Sequence, residues 1–507
     1  MKRALALTLL LVLLGGVGLA SGTVMIGSEA DQVTVTEQVF YGQVSEVEGL
    51  AVHQQVEYDN HIRWDITYRP GEDPSAETEF TYSPTTFDFN YEGFYNGISI
   101  SSSLDYAQSY RSLETGQVQD NSAKSQYGAS AEELVGINRA YHALYEETDA
   151  GEEGTKTIRL ADYYDYYPLQ FELSHPNHST WWNWSLEFDY LEYEEGEARD
   201  SRLAILDYFR IPVLEDETLE LSIQKQADGQ LWSTGYSSTD SDSYQIWARA
   251  DYTDDAVYFT INNYTTNGNV MDLSMIPGGF GIYRLGVPVT TMENAEHYPN
   301  KVPVQEVSTV FSLDPATVVT ALQVSEDQTR LYLLTIEDGQ HMFTVLDLET
   351  YEVLQKMTLG PCGNESFYWN LECYLYEKDN ALIALVGAVA DMNNAFCVLL
   401  PQADGTFEQA FLTQQESIYR YSEDLNVFTV YSAGSFDWDG TRLAVCDRLS
   451  DHSQSRATYC SFAISVYDAS GLLYMSGADS SLGITSFDEY DCQPGYLEPL
   501  TVEWAEP

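Results

Sequence analysis

Residues 318–359 read VVTALQVSEDQTRLYLLTIEDGQHMFTVLDLETYEVLQKMTL, and the fold turns on how this stretch is parsed. The apolar run 318–324 stops at Ser325-Glu326-Asp327-Gln328, a polar turn, and residues 330–336 form a second run rich in Leu and aromatic side chains. Glu337-Asp338-Gly339 turns the chain again; residues 342–348 follow, then Glu349 and Thr350, then residues 351–359. Strands joined by such short turns must be antiparallel neighbours, because a parallel crossover needs a dozen or more residues. The stretch is one four-stranded meander.

A second copy is visible downstream. Phe436-Asp437-Trp438-Asp439-Gly440-Thr441 leads into the strand 442–446, and residues 463–467 run through Asp468-Ala469-Ser470-Gly471 into the strand 472–476. Val345-Leu346-Asp347 is answered by Val466-Tyr467-Asp468. Four strands in about forty residues is the rhythm of a β-propeller blade. These segments resemble blades of the broad WD40-like and YVTN-like β-propellers, although the His and Trp-Asp signatures of WD40 repeats are absent. The resemblance covers about a fifth of the chain and implies a fold, with no functional residues carried across.

Working outward, residues 372–386, 394–401 and 406–412 suit an intervening blade with Asp404-Gly405 as its hairpin turn, and residues 217–224, 229–237, 244–251 and 256–262 suit another. The expected fold is therefore an all-β propeller of seven or eight blades with long insertions, whose closure would hide sheet edges. The alternative is a β-sandwich module followed by a smaller propeller, with a seam across 288–303. The domain reading is a leader at 1–22, a β-rich half at 23–300 and propeller blades at 301–507. One helix is expected near 131–147: Ser130-Ala131-Glu132-Glu133 forms a capping box, and Leu134, Ile137, Tyr141, Leu144 and Tyr145 recur at helical spacing.

Lys2 and Arg3 precede an almost unbroken apolar run from 4 to 20, followed by small polar residues. This is the pattern of a signal peptide, with an uncleaved anchor as the alternative. The expected location is extracytoplasmic, secreted or at the cell surface, with membrane contact only through an uncleaved leader. Lys plus Arg number 23 against 79 Asp plus Glu among 507 residues, a formal charge of −56, which excludes an unaided nucleic-acid binder. The acidic runs 146–153 and 192–197 read as solvated surface. Cys362, Cys373, Cys397, Cys446, Cys460 and Cys492 contain no C-x-x-C pair, so zinc is unsupported. Export permits disulfides, whose pairing stays open, while Cys397 and Cys446 fall in strands and read as buried thiols.

The candidate ligand-binding residues are Tyr163, Tyr164, Tyr166 and Tyr167 with Trp181, Trp182 and Trp184, flanked by Asp162, Asp165 and Glu187. Flat aromatic faces stack on sugars or hold cations. The competing reading is plain aromatic packing, since alternate residues of a strand share one face. His175 and His178 supply two imidazoles and no third ligand, so no metal site is expected. Asp240-Ser241-Asp242 and Asp437-Trp438-Asp439-Gly440 resemble pieces of calcium loops without the terminal Glu; turns are the simpler reading, and weak Ca2+ binding is the one cofactor interaction left open. Nucleophile elbows, zinc-protease helices and phosphate loops are absent, and Pro277-Gly278-Gly279-Phe280-Gly281 precedes a strand where a phosphate loop would precede a helix. Asn177, Asn183, Asn263 and Asn364 sit in glycosylation sequons. The expectation is a non-catalytic binding scaffold for a protein, peptide or glycan. Its alternatives are a carbohydrate-active enzyme using paired carboxylates and a membrane-tethered sensor.

Overall fold

The computed structural model describes residues 15–18, 33–58, 62–80, 99–104, 136–175, 184–187, 208–286, 307–363, 371, 373–378, 380–387, 394–416, 427–429, 435–451, 461–481 and 500–505. The leader lies outside them apart from 15–18, and no helix among the described residues is long and apolar enough to cross a membrane. Along the chain the strands are β1 (Thr34–Tyr41), β2 (Leu50–Tyr58), β3 (Ile62–Tyr68), β4 (Ser75–Phe80) and β5 (Ser99–Leu104), followed by helix α1 (Asn138–Glu147). Then come β6 (Glu153–Arg159), β7 (Leu169–His175), β8 (Trp184–Glu187), β9 (Thr218–Lys225), β10 (Leu231–Ser238), β11 (Ala248–Thr253), β12 (Ala256–Ile261), β13 (Gly281–Gly286) and β14 (Val307–Ser312). The series continues with β15 (Val318–Val324), β16 (Arg330–Glu337), β17 (Gln340–Asp347), β18 (Val353–Pro361), β19 (Tyr374–Lys378), β20 (Ala381–Gly387), β21 (Asn394–Pro401) and β22 (Phe407–Gln414). It ends with β23 (Val427–Thr429), β24 (Ser435–Trp438), β25 (Leu443–Asp451), β26 (Ser461–Asp468), β27 (Gly471–Ser481) and β28 (Leu500–Trp504).

The chain is an all-β protein assembled from antiparallel meanders, most of them four-stranded like the blades read from the sequence. The sheet β15-β16-β17-β18 has the strand order read from its sequence, and in β19-β20-β21-β22 the segment read as 372–386 divides into β19 and β20. In the first of these the middle strands β16 and β17 are buried on nearly every residue, whereas the fourth strand β18 is largely exposed. A strand buried on both faces reads as a continuous apolar run, which is why LYLLTI and MFTVL lack polar alternation. The last strand needs no such run. Seven antiparallel sheets are formed by the described residues, four of them four-stranded, one six-stranded, and two, β10-β9-β6 and β5-β7-β8, three-stranded.

The contact map resolves two compact units, one of residues 1–96, 374–387 and 392–507 and the other of residues 97–373 and 388–391. In the first, the two ends of the chain trade strands. β1 pairs along β27, with Thr34 opposite Ser481, and β28 pairs along β2, with Leu50 opposite Trp504. Backbone N–H groups of β28 donate to side chains of β24: Val502 to Ser435 Oγ at 2.9 Å and Trp504 to Asp437 Oδ2 at 2.6 Å. Arg442 lies over the Trp504 ring at 4.1 Å and donates to the Glu46 carbonyl at 2.6 Å. Beneath this seam Val47, Leu50, Val52, Leu500 and Val502 share a core with Cys446, Phe462, Ile464 and Tyr474. Gly42 has φ +76° and its absent Cβ would lie 2.0 Å from the Leu473 carbonyl oxygen, so no other residue lets β1 leave β27 there.

In the second unit β13 pairs antiparallel with β14, Leu285 standing opposite Val307. The four strands read between 217 and 262 part company: β9 and β10 join β6, while β11 and β12 join β13 and β14. Helix α1 packs its Ala140, Tyr141 and Leu144 face into the same core as Leu219, Leu221 and Ile223 of β9. It begins later than its sequence pattern suggests, at Asn138, because Gly136 takes φ +56° with the Tyr164 hydroxyl filling the space of a Cβ. The capping box at 130–133 lies outside the described residues. Lys225 closes the other end of the helix, donating to the Tyr145 and Thr148 carbonyls at 2.5 and 2.6 Å and lying 3.7 Å from the centre of the Tyr145 ring. A cation there satisfies terminal carbonyls and complements the helix dipole.

Two outcomes follow. Asp437→Ala strands the Trp504 N–H and lowers unfolding free energy by about 1–3 kcal/mol, read as a fall in urea midpoint at unchanged slope. Lys225→Met keeps the stem but loses the charge and both hydrogen bonds, and it costs about 1–2 kcal/mol in the same titration.

Candidate ligand site

The tyrosine run is split by its turn geometry. Tyr164 and Tyr167 point inward and are 2% and 3% exposed, whereas Tyr163 and Tyr166 are half-buried. Tyr164 accepts from the Ile137 N–H at 3.1 Å, and Tyr167 packs against Tyr244 with ring centres 5.0 Å apart. Both are core residues. Arg139 lies over Tyr163 at 5.6 Å and Arg210 over Tyr166 at 6.0 Å, so each half-buried ring already faces a guanidinium of the chain itself. Trp184 lies on β8 opposite His175 of β7; Trp181, Trp182 and His178 lie outside the described residues. Cys397 and Cys446 are fully buried, as read, and burial pushes the Cys397 thiol up to about 12.

What the structure does assemble around Tyr167 is a sealed carboxyl. Glu217, 3% exposed, accepts the Tyr167 hydroxyl, which in turn accepts from the Leu214 N–H at 3.2 Å. Burial pushes Glu217 up to about 7; bonds from Tyr167 and the Tyr244 backbone oppose the rise, and the charges of Asp240 and Asp242 add to it. Its neighbours come from the suspected calcium fragment. Asp240 Oδ2 takes the Thr218 N–H at 2.5 Å and the Thr218 hydroxyl at 2.9 Å, and Asp242 Oδ2 takes the Asn269 amide at 2.6 Å. Among the described residues no group of three or more His, Cys, Asp or Glu side chains is arranged to hold a metal ion. Glu217 opens the segment 217–224 that reads as a strand, and nothing in its residue type singles it out there. The signal that marks it is phase, since 217, 219, 221 and 223 alternate onto the buried face.

The other suspected calcium fragment is a turn of a recurring kind. Asp439 accepts from the Thr441 hydroxyl at 2.9 Å and its N–H at 2.8 Å, and from the Arg442 guanidinium at 2.7 Å. The same Asp-to-Ser/Thr bond closes turns at Asp327 with Thr329, Asp347 with Thr350, Asp404 with Thr406 and Asp468 with Ser470. Hydrogen bonds from Thr350 and from Thr406 hold Asp347 and Asp404 below the usual carboxylate range; at Asp327 and Asp439 such bonds outweigh the opposing effect of burial.

An open recess lies between β11, β12 and β15, lined by Trp247, Arg249, Asn262, Asn263, Tyr264 and Val319. Its volume is about 10 Å³, room for a single water. Its polar groups bind the chain itself: Arg249 donates to the Val319 and Leu371 carbonyls at 3.1 and 3.3 Å, and Asn263 to those of Pro315 and Thr317 at 2.7 and 2.8 Å. Beside it Asp251 accepts the Val324 N–H at 2.6 Å, tying β11 to β15, and burial pushes it up to about 6.

No protein family matches the sequence, and no curated protein is significantly similar to it. Among solved structures, the periplasmic gluconolactonase of Pseudomonas aeruginosa is 11% identical, with a TM-score of 0.28 over 83% of this chain and 93% of its own. A β-propeller domain from Myceliophteria thermophila is 10% identical, with a TM-score of 0.25 over 65% and 87% of the two chains. A GH43 protein from Bacillus licheniformis is 13% identical, with a TM-score of 0.25 over 67% and 57%. Similarity at this level lends nothing to a reading of activity.

Burial likewise pushes Asp447 up to about 6. Glu217, Asp251 and Asp447 thus bind their protons more tightly folded than unfolded, so their contribution is complete below the ordinary carboxylate range and is lost as pH rises through about 6 to 7. The turn aspartates act in the opposite sense, stabilising above about pH 4 and failing below it. The thermal midpoint should therefore rise between about pH 8 and pH 5 and fall again under pH 4. Glu217→Gln keeps an acceptor for Tyr167 but cannot ionise; it raises the midpoint at about pH 8 and flattens the slope toward pH 5.

Proposed function

We propose that the chain is a non-catalytic binding scaffold working outside the cytoplasm. The observation that supports this most directly is the use made of its perturbed carboxyls. Glu217 is sealed, Asp251 ties two strands, and Asp327, Asp347, Asp404 and Asp439 close turns. A glycoside hydrolase requires two carboxyl groups about 5 to 10 Å apart that both reach the substrate. The recess at Arg249 has room for only one water. A scaffold of this kind presents its contacts on exposed strand faces and loops. Export is supported by the basic pair Lys2-Arg3 ahead of the apolar run 4–20.

The test is a combined glycan and peptide array with the purified chain, alongside a panel of chromogenic glycosides and lactones. Retention on the array with no turnover is the expected result; turnover abolished by Glu217→Gln would favour the enzyme reading instead. N-terminal sequencing of exported material is expected to begin after residue 20 or 22, and intact cytosolic protein would remove the extracytoplasmic part.

A further inference from the structure

The sheet β10-β9-β6 turns one face to the core and the other to solvent. On the inner side Leu219, Leu221 and Ile223 of β9 and Ile158 of β6 are buried. The cross-strand register puts Glu153, Thr155 and Thr157 of β6 opposite Gln224, Ser222 and Glu220 of β9, and these opposite Ser233, Gly235 and Ser237 of β10. Gly235 apart, all of these residues are exposed. The face is thus an array of hydroxyl, amide and carboxylate groups, repeated about every 7 Å along each strand and about 5 Å between strands.

One large apolar group breaks the pattern. Trp232 is the extra residue of a β-bulge between the pairs Leu231–Lys225 and Ser233–Gln224, and it is 68% exposed. The bulge releases it from the alternation that keeps Leu231 on the core side. An indole left in water keeps most of its transfer free energy available to a partner.

From this juxtaposition we infer that the outer face of β6, β9 and β10, with Trp232 at its edge, docks an uncharged, extended polysaccharide. The inference rests on the scaffold reading and names its ligand class. The indole covers the C–H face of a sugar ring, while Thr155, Thr157, Ser222, Gln224, Ser233 and Ser237 exchange hydrogen bonds with ring hydroxyls. Electrostatics excludes anionic ligands: Glu153 and Glu220 lie on the face, Asp228 at its hairpin, and the whole chain carries −56, so anionic polymers are repelled. A protein partner would call for an apolar centre with several anchors, and this face has a single aromatic group among polar ones.

The probes are hydroxyethylcellulose and neutral xylan, with polygalacturonate as the anionic counterpart, in affinity electrophoresis of the full chain. Retardation by a neutral polymer, weakened about tenfold or more in Trp232→Ala and to a lesser degree in Gln224→Ala, is the expected result. Trp232 is largely in solvent, so an unchanged thermal midpoint for Trp232→Ala is expected and ties any loss of binding to the face itself. Equal binding by wild type and Trp232→Ala overturns the inference, as does retardation by polygalacturonate alone or by none of the polymers. A chain that ignores all three polymers but retains peptides on the array overturns this assignment and leaves the scaffold reading standing. Turnover of glycosides overturns that reading separately.

Discussion

Every antiparallel sheet ends in two rows of unpaired N–H and C=O groups, and a chain of meanders must dispose of them or pair with other chains. In the unit that contains both chain ends the solution is an exchange of terminal strands. β27 would expose one row of these groups without β1, and β2 would do so without β28. Side chains lock the exchange: Asp437 and Ser435 accept N–H groups of β28, and Arg442 bridges Glu46 and Trp504. Partners more than 400 residues apart, such as His53 and Glu503 at 2.8 Å, meet only when both ends are in place. The sheets at both ends of this seam are therefore completed by the least local contacts in the chain.

The acidic composition has structural uses that temper its functional reading. Aspartates close turns by accepting a Ser or Thr hydroxyl, and a few carboxyls are folded inward where burial raises their affinity for protons. The remaining negative charge is a long-range field. It governs which partners approach, and it favours uncharged or cationic ones.

Local signals were legible where strands follow one another through tight turns. The set β15 to β18 could be read directly, because each pairing partner is the next segment and the turn residues announce it. The strands between 217 and 262 looked equally regular, yet β9 pairs with β6 from some sixty residues upstream. Nothing in the local pattern carries that choice. The helix near 138 was legible by spacing, but its start was set by Tyr164 packing against Gly136. The aromatic cluster was visible as composition, while the division of its tyrosines between core and surface came from the turn around 160–167. Trp232 carried no signal in sequence, since a bulge is a mismatch between two strands and is invisible in either alone.

Periodicity and turn chemistry alone determined that this chain is all-β, built from meanders, with Cys397 and Cys446 buried in strands. Those properties depend on neighbours a few residues away, whose energies are written in the local pattern. Tertiary structure alone decided how the termini are exchanged, that Glu217 is sealed and that the outer face of β6, β9 and β10 is open. Each of these depends on register and packing between distant segments, where many pairings satisfy the same alternation and only the contacts of the assembled core select among them.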